Sequence, residues 1–230
     1  MTFMNPNLVA LDTTDQNTSL TAPNNWTFTA QETLVPVALI EAEALSREYV
    51  LVFSKETEGP TTPIALLGVN GRNGYLDSAG NWQANAIPAH LRLYPFALVA
   101  GPTPGQYIVA RDADAPHFQG EAGQALFDSQ GQPSPLVQQV ATALVDVRRS
   151  QLEAQALAQQ LMEAGLISER RIDVQLKDGT WRSVAGFLAI DEERLASLSE
   201  ASRNALQQSG ALKLLELHRA SLANFGRLIT

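Results

Sequence analysis

The densest group of residues that could do chemistry lies in the stretch NAIPAHLRLYPFALV, residues 85–99, which we call the elbow. It carries His90, Arg92 and Tyr94 among apolar residues and two prolines. Pro88 favours the first turn of a short helix, and the Tyr94-Pro95 pair favours extended backbone in the following apolar run. The pattern predicts a helix-to-strand joint. Its guanidinium could stack on a ring or pair with a carboxylate, so the polar groups either hold the corner or bind an anionic ligand.

A second group lies in RDADAPHF, where Asp112, Asp114 and His117 fall within six residues. Oxygen and imidazole ligands could hold a divalent ion, but three of them on one loop leave a coordination shell incomplete. Short acidic loops are more often solvated turns, so no metal site and no cofactor are predicted. The residues predicted to bind a ligand or a partner are Trp82, His90, Arg92, Tyr94 and Asp112.

The motifs that organise common enzyme active sites are absent from the sequence. No G-x-S-x-G or H-E-x-x-H pattern occurs, and no Gly-Lys-Ser or Gly-Lys-Thr follows a glycine loop. The glycines of GVNGRNG lack the dinucleotide-binding spacing and favour a tight loop between strands. His218 lies at helical spacing from Leu215 and Leu222, which favours a hydrogen-bonded core residue. No catalytic residue is assigned, and the balance favours a protein without enzymatic activity.

Composition narrows the classes of partner and compartment. The chain has 230 residues with 24 Asp plus Glu against 16 Lys plus Arg, giving a net charge of -8, so nucleic acid would be repelled. Cysteine is absent, which excludes disulfides and thiolate chemistry. The sequence shows neither a basic start followed by an apolar run nor a stretch of about 20 apolar residues, so we expect a cytoplasmic protein without a transmembrane segment.

The strand signals come first along the chain. YVLVFS and PIALLGVN read as buried strands, whereas GYLDSAGNW and LFDSQGQP read as glycine turns. RIDVQLKDGTWRSVAGFLAID predicts a hairpin that turns at Asp178-Gly179, with residues 184–190 covered on both sides. Residues 1–30 are polar and aperiodic, which predicts a weakly ordered arm ahead of a single domain at residues 31–230.

Helix signals dominate the second half. Ser134-Pro135 begins and Gly165 ends a helix of about 30 residues, with a polar break at residues 148–151 that indicates a bend or a split. Asp191 caps DEERLASL, and LKLLELHRASLANFGRLI predicts a final amphipathic helix. The order predicts an α+β fold, a largely antiparallel sheet from the N-terminal half with the C-terminal helices packed on one face. The long helix could also pair with a copy of itself in a homodimer.

The order of these segments resembles the bacterial SapC family from about Leu34 to Leu228. The most specific piece is the turn at residues 77–82 followed by the elbow segment at residues 87–96. Leu93 stands where the family usually carries a second arginine, and Gly74-Tyr75 where it commonly shows Asn-Leu-Phe.

The resemblance implies a bacterial protein linked to the export of surface-layer protein, with no established set of catalytic residues. It also implies an alternative, since family members are often encoded near flavin-dependent halogenase-like proteins and outer-membrane receptors. The first hypothesis is a non-enzymatic accessory protein that contacts a protein partner through the arm and the Arg92–Tyr94 region. The alternative is a small-molecule-binding protein or enzyme, accessory to the uptake or modification of a peptide or metabolite, with the five predicted residues lining its pocket.

Overall fold

A computed structural model describes residues 7–54, 59–69, 71–118, 123–175 and 179–229. The strands are β1 (Leu8–Ala10), β2 (Ser19–Leu20), β3 (Leu34–Pro36), β4 (Val50–Ser54), β5 (Thr62–Leu66), β6 (Phe96–Ala100), β7 (Tyr107–Asp112), β8 (Gln124–Ala125), β9 (Ile167–Gln175) and β10 (Trp181–Ile190). The α-helices are α1 (Leu39–Ser46), α2 (Ala89–Arg92), α3 (Pro135–Glu163), α4 (Glu192–Ala196), α5 (Glu200–Ser209) and α6 (Ala211–Ser221). Short 3₁₀ segments cover Thr13–Asp15, Thr27–Thr29, Pro116–Phe118 and Leu222–Ile229.

The larger sheet has the strand order β3-β5-β4-β10-β9, and every neighbouring pair is antiparallel. Val50 to Phe53 are all buried, because this short apolar run is covered on both faces. Helices α1, α3 and α6 pack on one another and against β4 or β5. The predicted α+β class is confirmed, with antiparallel sheets from the N-terminal half and helices from the C-terminal half.

The smaller sheet, of order β1-β7-β6, joins the start of the chain to the elbow. Strand β1 pairs with β7, and β2 pairs separately with β8. Asp15, 2% exposed, also accepts a hydrogen bond from Arg111 Nε at 2.7 Å. Residues 8–15 are thus tied to the smaller sheet, and Ser19–Leu20 to β8, while the division of the chain at residue 30 stays a prediction.

Helix α3 connects two hydrophobic clusters. Val137 and Leu144 belong to the cluster under the smaller sheet, and Ala158 and Leu161 belong to the main core. The Ser134 side chain accepts from the Val137 amide, and Gly165 takes a φ of 71°, so both predicted ends are confirmed. The polar break is not a split, since the helix runs continuously from Pro135 to Glu163, and a bend there stays a prediction. The break marks the part of the helix between the two clusters.

Several local predictions need correction or fall outside the described residues. Of the predicted range, Phe187 to Ile190 are buried, whereas a bulge with Gly186 at a φ of 86° leaves Ala185 and Gly186 exposed. The final segment is not one helix, since α6 ends at Ser221 and a 3₁₀ segment follows. Asp178 of the predicted hairpin turn lies outside the described residues.

The glycine loop after β5 is tight, as predicted, although its Asn70 also lies outside the described residues. A Cβ at Gly68 would lie 1.8 Å from the Arg72 carbonyl oxygen. Among the described residues, no helix combines the length and apolar character that crossing a bilayer requires.

Candidate functional site

The elbow is the helix-to-strand joint that its sequence predicts. Pro88 takes a φ of -54° and caps α2, which ends at Arg92, and β6 begins at Phe96 after a cis Tyr94–Pro95 peptide. Leu91 is fully buried in the main core, whereas Phe96 belongs to the cluster under the smaller sheet. The elbow therefore connects the same two clusters as α3.

Two carboxylates from the segment around α1 hold the backbone of the elbow. Glu41 Oε2 accepts from the Ala89 amide at 2.7 Å, and burial raises the pKa of this carboxyl despite that bond. Glu48 accepts from the amides of Asn85 at 2.9 Å and Ala86 at 3.0 Å. Each carboxylate satisfies N–H groups that regular secondary structure leaves without partners.

Trp82 lies in an aromatic cluster beneath the start of the elbow. Its Nε1 donates to the Tyr49 hydroxyl at 2.9 Å, and that hydroxyl donates in turn to the Ala86 carbonyl. The Trp82 ring stacks on Tyr75 at 6.2 Å between centroids. Burial raises the pKa of both tyrosines, so their hydroxyls stay protonated and keep donating.

Tyr94 and Asp112 are hydrogen-bonded to each other. The Tyr94 hydroxyl donates to Asp112 Oδ2 at 2.7 Å, and Asp112 Oδ1 accepts from the Asn7 amide at 3.0 Å and the Asp114 amide at 3.1 Å. Asp112 is only 6% exposed, so these donors replace the water that a carboxylate needs. Burial and the Asp112 carboxylate raise the pKa of Tyr94, whose ring stacks on Phe28 at 5.2 Å.

His117 completes this corner as a buried, neutral ring. It meets the Tyr94 ring edge-on at 5.1 Å, and its Nδ1 has no hydrogen-bond partner within the described part of the chain. Burial lowers the pKa of His117, although the charge of Asp112 opposes that shift. Tyr94 thus links Asp112 and His117. Within the described ranges, no group of three or more histidines and acidic residues is placed to hold a metal ion.

The side chains of Arg92 and His90, both in α2, lie in different environments. Arg92 is exposed, and its Nε donates to the Ile87 carbonyl at 2.9 Å. His90 lines a groove of about 350 Å³ between the elbow and α3, which we call the His90 groove. Burial lowers the pKa of His90, so its ring is neutral at pH 7.

The His90 groove has an apolar floor and a polar rim. The floor comes from both of the elements that bound it, through Leu93, Phe96, Leu98, Leu144 and Val147. The rim adds Tyr107, Arg148 and Gln151 to His90. Most of the floor belongs to the cluster under the smaller sheet, so the groove is the place where that cluster reaches the surface.

Comparison with models of known protein families identifies the family of the chain. A family model described as SapC matches residues 12–228. The chain belongs to the SapC family. Searches of curated proteins and of solved structures return no match.

In this SapC chain the five predicted binding residues do not converge on one cavity. Trp82 packs in the aromatic cluster, Tyr94 and Asp112 line a separate pocket of about 360 Å³, and His90 lines its own groove. Arg92 lies on the surface beside them. A binding role for any of the five stays a prediction.

Sequence reasoning missed the residues that hold and complete the SapC elbow. Glu41 and Glu48 do not belong to a recognisable sequence motif. They accept hydrogen bonds from backbone amides that lie 48 and 37 residues further along the chain. Arg148 and Gln151 did leave a signal, because they form the polar break in an otherwise amphipathic helix. The break predicts a bend or a split of the helix, whereas its Arg148 and Gln151 side chains line the His90 groove.

Proposed function

We propose that this SapC-family chain is a non-enzymatic accessory protein that binds a partner protein through the arm and the Arg92–Tyr94 face of the elbow. The process it serves is export of surface-layer protein in a bacterium, and it acts from the cytoplasm. Both the process and the compartment belong to the proposal. Family membership supports the class, and the geometry of the elbow supports the binding surface.

One observation carries this proposal: a single carboxylate joins the arm to the elbow. Asp112 accepts from the Asn7 amide, immediately before β1, and from the Tyr94 hydroxyl. Leu8 and Val9 of β1 are 39% and 36% exposed, and Arg92 is exposed nearby on the elbow. Because internal hydrogen bonds already hold both segments, a partner would meet a surface that loses little entropy on binding.

Site-specific photocrosslinking tests the proposed surface. A photoreactive residue replaces Val9 or Arg92 in the full chain, and Glu153, an exposed residue of α3, serves as the control position. We expect positions 9 and 92 to capture the same protein in the source cell, and position 153 to capture none of it. Equal capture at position 153, or different proteins at 9 and 92, would contradict the proposal.

A second function is supported by the His90 groove. Its volume of about 350 Å³ lies at the lower end of the range for small-molecule sites, roughly 300–1,000 Å³. The protein would then bind a metabolite or peptide as an accessory to its uptake or modification. Thermal-shift screening tests this function, because a ligand at about 100 times its dissociation constant stabilises the fold by about 2.7 kcal/mol. A screen without any shift would count against it.

Self-association through α3 stays part of the proposal. Val145 and Leu152, one heptad apart on this helix, are 52% and 48% exposed, and Ile40 near the same helix is 75% exposed. Light scattering coupled to size exclusion measures the mass directly. A monomeric mass at every protein concentration would contradict the proposed homodimer.

A further inference from the structure

Arg148 differs from the other arginines that α3 and the smaller sheet present. Arg149, its neighbour, is exposed and pairs with Asp146 at 2.8 Å, and Arg111 pairs with the buried Asp15 at 2.6 Å. Arg148 is half-buried at the rim of the His90 groove, and among the described residues its guanidinium has no hydrogen bond or ion pair. A partly desolvated cation without a partner is costly, and an anion is the group that would satisfy it.

The groove around Arg148 is otherwise free of charge. The chain has 24 acidic residues, yet none of the side chains that line the described groove is acidic. His90 is neutral, and Gln151 and Tyr107 supply polar groups without charge. Arg148 is therefore the one charged side chain among the described residues that line the groove, which favours one negative charge on the occupant.

The rest of the groove selects an apolar body. Phe96 and Leu144 are 6% and 8% exposed and form the base of the floor, with Leu93, Leu98 and Val147 beside them. Tyr107 is 50% exposed at the rim, where its ring can cover a ligand. An occupant gains by burying apolar surface here.

We propose that the His90 groove binds a small carboxylic acid, with the carboxylate paired to Arg148 and an aliphatic or aromatic body on the floor formed by the elbow and α3. A free small molecule fits better than a chain segment, because the volume is at the lower end of the range for ligand pockets. A guanidinium can hold a carboxylate through two parallel hydrogen bonds, so both its charge and its geometry favour a carboxylate as the partner of Arg148. The inference builds on the second function proposed above and is independent of the partner protein.

Isothermal titration of the full chain with octanoate and with 3-phenylpropionate tests the inference. Each acid is compared with its own primary amide, which keeps the body and removes the charge. We expect at least one acid to bind, and its amide to bind at least about tenfold more weakly, since a charged hydrogen bond contributes about 1.5 kcal/mol or more. Equal binding of acid and amide, or no binding of either acid at millimolar concentration, would overturn the proposal.

Matched variants locate the site. Arg148→Gln should weaken the acid about tenfold or more, and Arg148→Lys, which keeps the charge without the bidentate geometry, should lie between Arg148→Gln and the parent. Arg149→Gln is the control and should leave affinity unchanged, because that side chain already pairs with Asp146. Equal losses in the 148 and 149 variants would contradict the assignment. Circular dichroism of each variant confirms that it is folded.

Two further outcomes separate this inference from its alternatives. A short peptide with a free C-terminal carboxylate that binds while both free acids fail would reject the small molecule as occupant. Arg148→Gln should leave the photocrosslinks at positions 9 and 92 intact, because the partner surface lies on the arm and the outer face of the elbow. If both were lost together, the groove would belong to the partner interface and the separate ligand site would be rejected.

Discussion

His218 of α6 bridges the backbones of β4 and β10. Its Nε2 accepts from the Ile190 amide at 3.0 Å, and its Nδ1 lies 2.6 Å from the Leu51 carbonyl oxygen, to which it donates. An imidazole that donates through one nitrogen and accepts through the other is neutral, and burial lowers the pKa of His218 accordingly. The prediction of a hydrogen-bonded core histidine is confirmed, and the reason for its polarity is the backbone it satisfies.

Replacement of this ring by a similar apolar one isolates its hydrogen bonds. His218→Phe keeps an aromatic side chain and leaves the Ile190 N–H and the Leu51 carbonyl without these partners. We expect the free energy of unfolding to fall by roughly 2 to 4 kcal/mol, measured by urea denaturation. His218→Gln, whose amide both donates and accepts, should recover part of the loss. A His218→Phe protein as stable as its parent would contradict this account.

Tyr94 supports the buried carboxylate of Asp112 through one hydroxyl. Tyr94→Phe keeps the ring on Phe28 and removes a donor from Asp112, which retains the amides of Asn7 and Asp114. The expected loss of unfolding free energy is about 1 to 3 kcal/mol in urea denaturation, because a buried charged acceptor loses a partner. Tyr107→Phe, at a ring that is half exposed, is the control and should change stability by less than about 0.5 kcal/mol.

At the scale of elements, Glu48 fixes the loop that leads into the elbow. Glu48→Ala removes the acceptor for the Asn85 and Ala86 amides, so these N–H groups should exchange with solvent faster by at least about tenfold. Hydrogen exchange followed by NMR reads the two amides directly. Glu43→Ala, an exposed carboxylate that pairs only with the surface cations Arg47 and Lys213 among the described residues, should leave both rates unchanged. Faster exchange in both variants would mean that general destabilisation is the cause.

The elements that sequence predicts well are those whose signals are local. The Ser134 cap, the Gly165 end and the turns at Asp77 and Asp128 each depend on contacts within a few residues. In both turns an aspartate oxygen accepts from amides two and four residues ahead, so the same D-S-x-G pattern gives the same structure.

The elements that sequence reasoning describes poorly are those completed by distant residues. Ser150 in the polar break of α3 accepts from the Ile40 amide, 110 residues away, and Glu48 reaches Asn85 across 37 residues. No period or cap in the sequence encodes these pairs. The alternative hypothesis places all five binding residues in one pocket, because the sequence does not show that the turn of the elbow sends neighbouring side chains to different clusters.

At the scale of the whole molecule, two clusters are joined by α3 and by the elbow, and the His90 groove opens between these two connections. Arg148 lies where neither cluster supplies a counter-charge. A ligand there would contact both connections, and its binding would therefore stabilise the pairing of the clusters as well as the groove itself.

The three histidines give the whole molecule a pH-dependent stability. Burial lowers the pKa of His90, His117 and His218 below the ordinary 6.5, so the unfolded chain binds more protons than the folded chain as pH falls below that value. The histidines contribute fully to the free energy of unfolding above about pH 6.5. This contribution is lost as the pH falls, by at most about 1.4 kcal/mol per pH unit for each histidine. Glu41 has the opposite effect on the free energy of unfolding, because its pKa is higher in the folded chain than the ordinary 4.5. Above pH 4.5 its contribution therefore decreases as the pH rises.

Urea denaturation at several values between about pH 7 and 5.5 measures this slope, and His218→Gln isolates one histidine from Glu41 and from the other two. We expect the free energy of unfolding of the parent to fall across this range, and that of the variant to fall less steeply by up to about 1.4 kcal/mol per pH unit. The difference between the two slopes cancels every group that they share. Parallel slopes would show that His218 is protonated equally in both states, which is incompatible with a ring that accepts a hydrogen bond from the Ile190 amide.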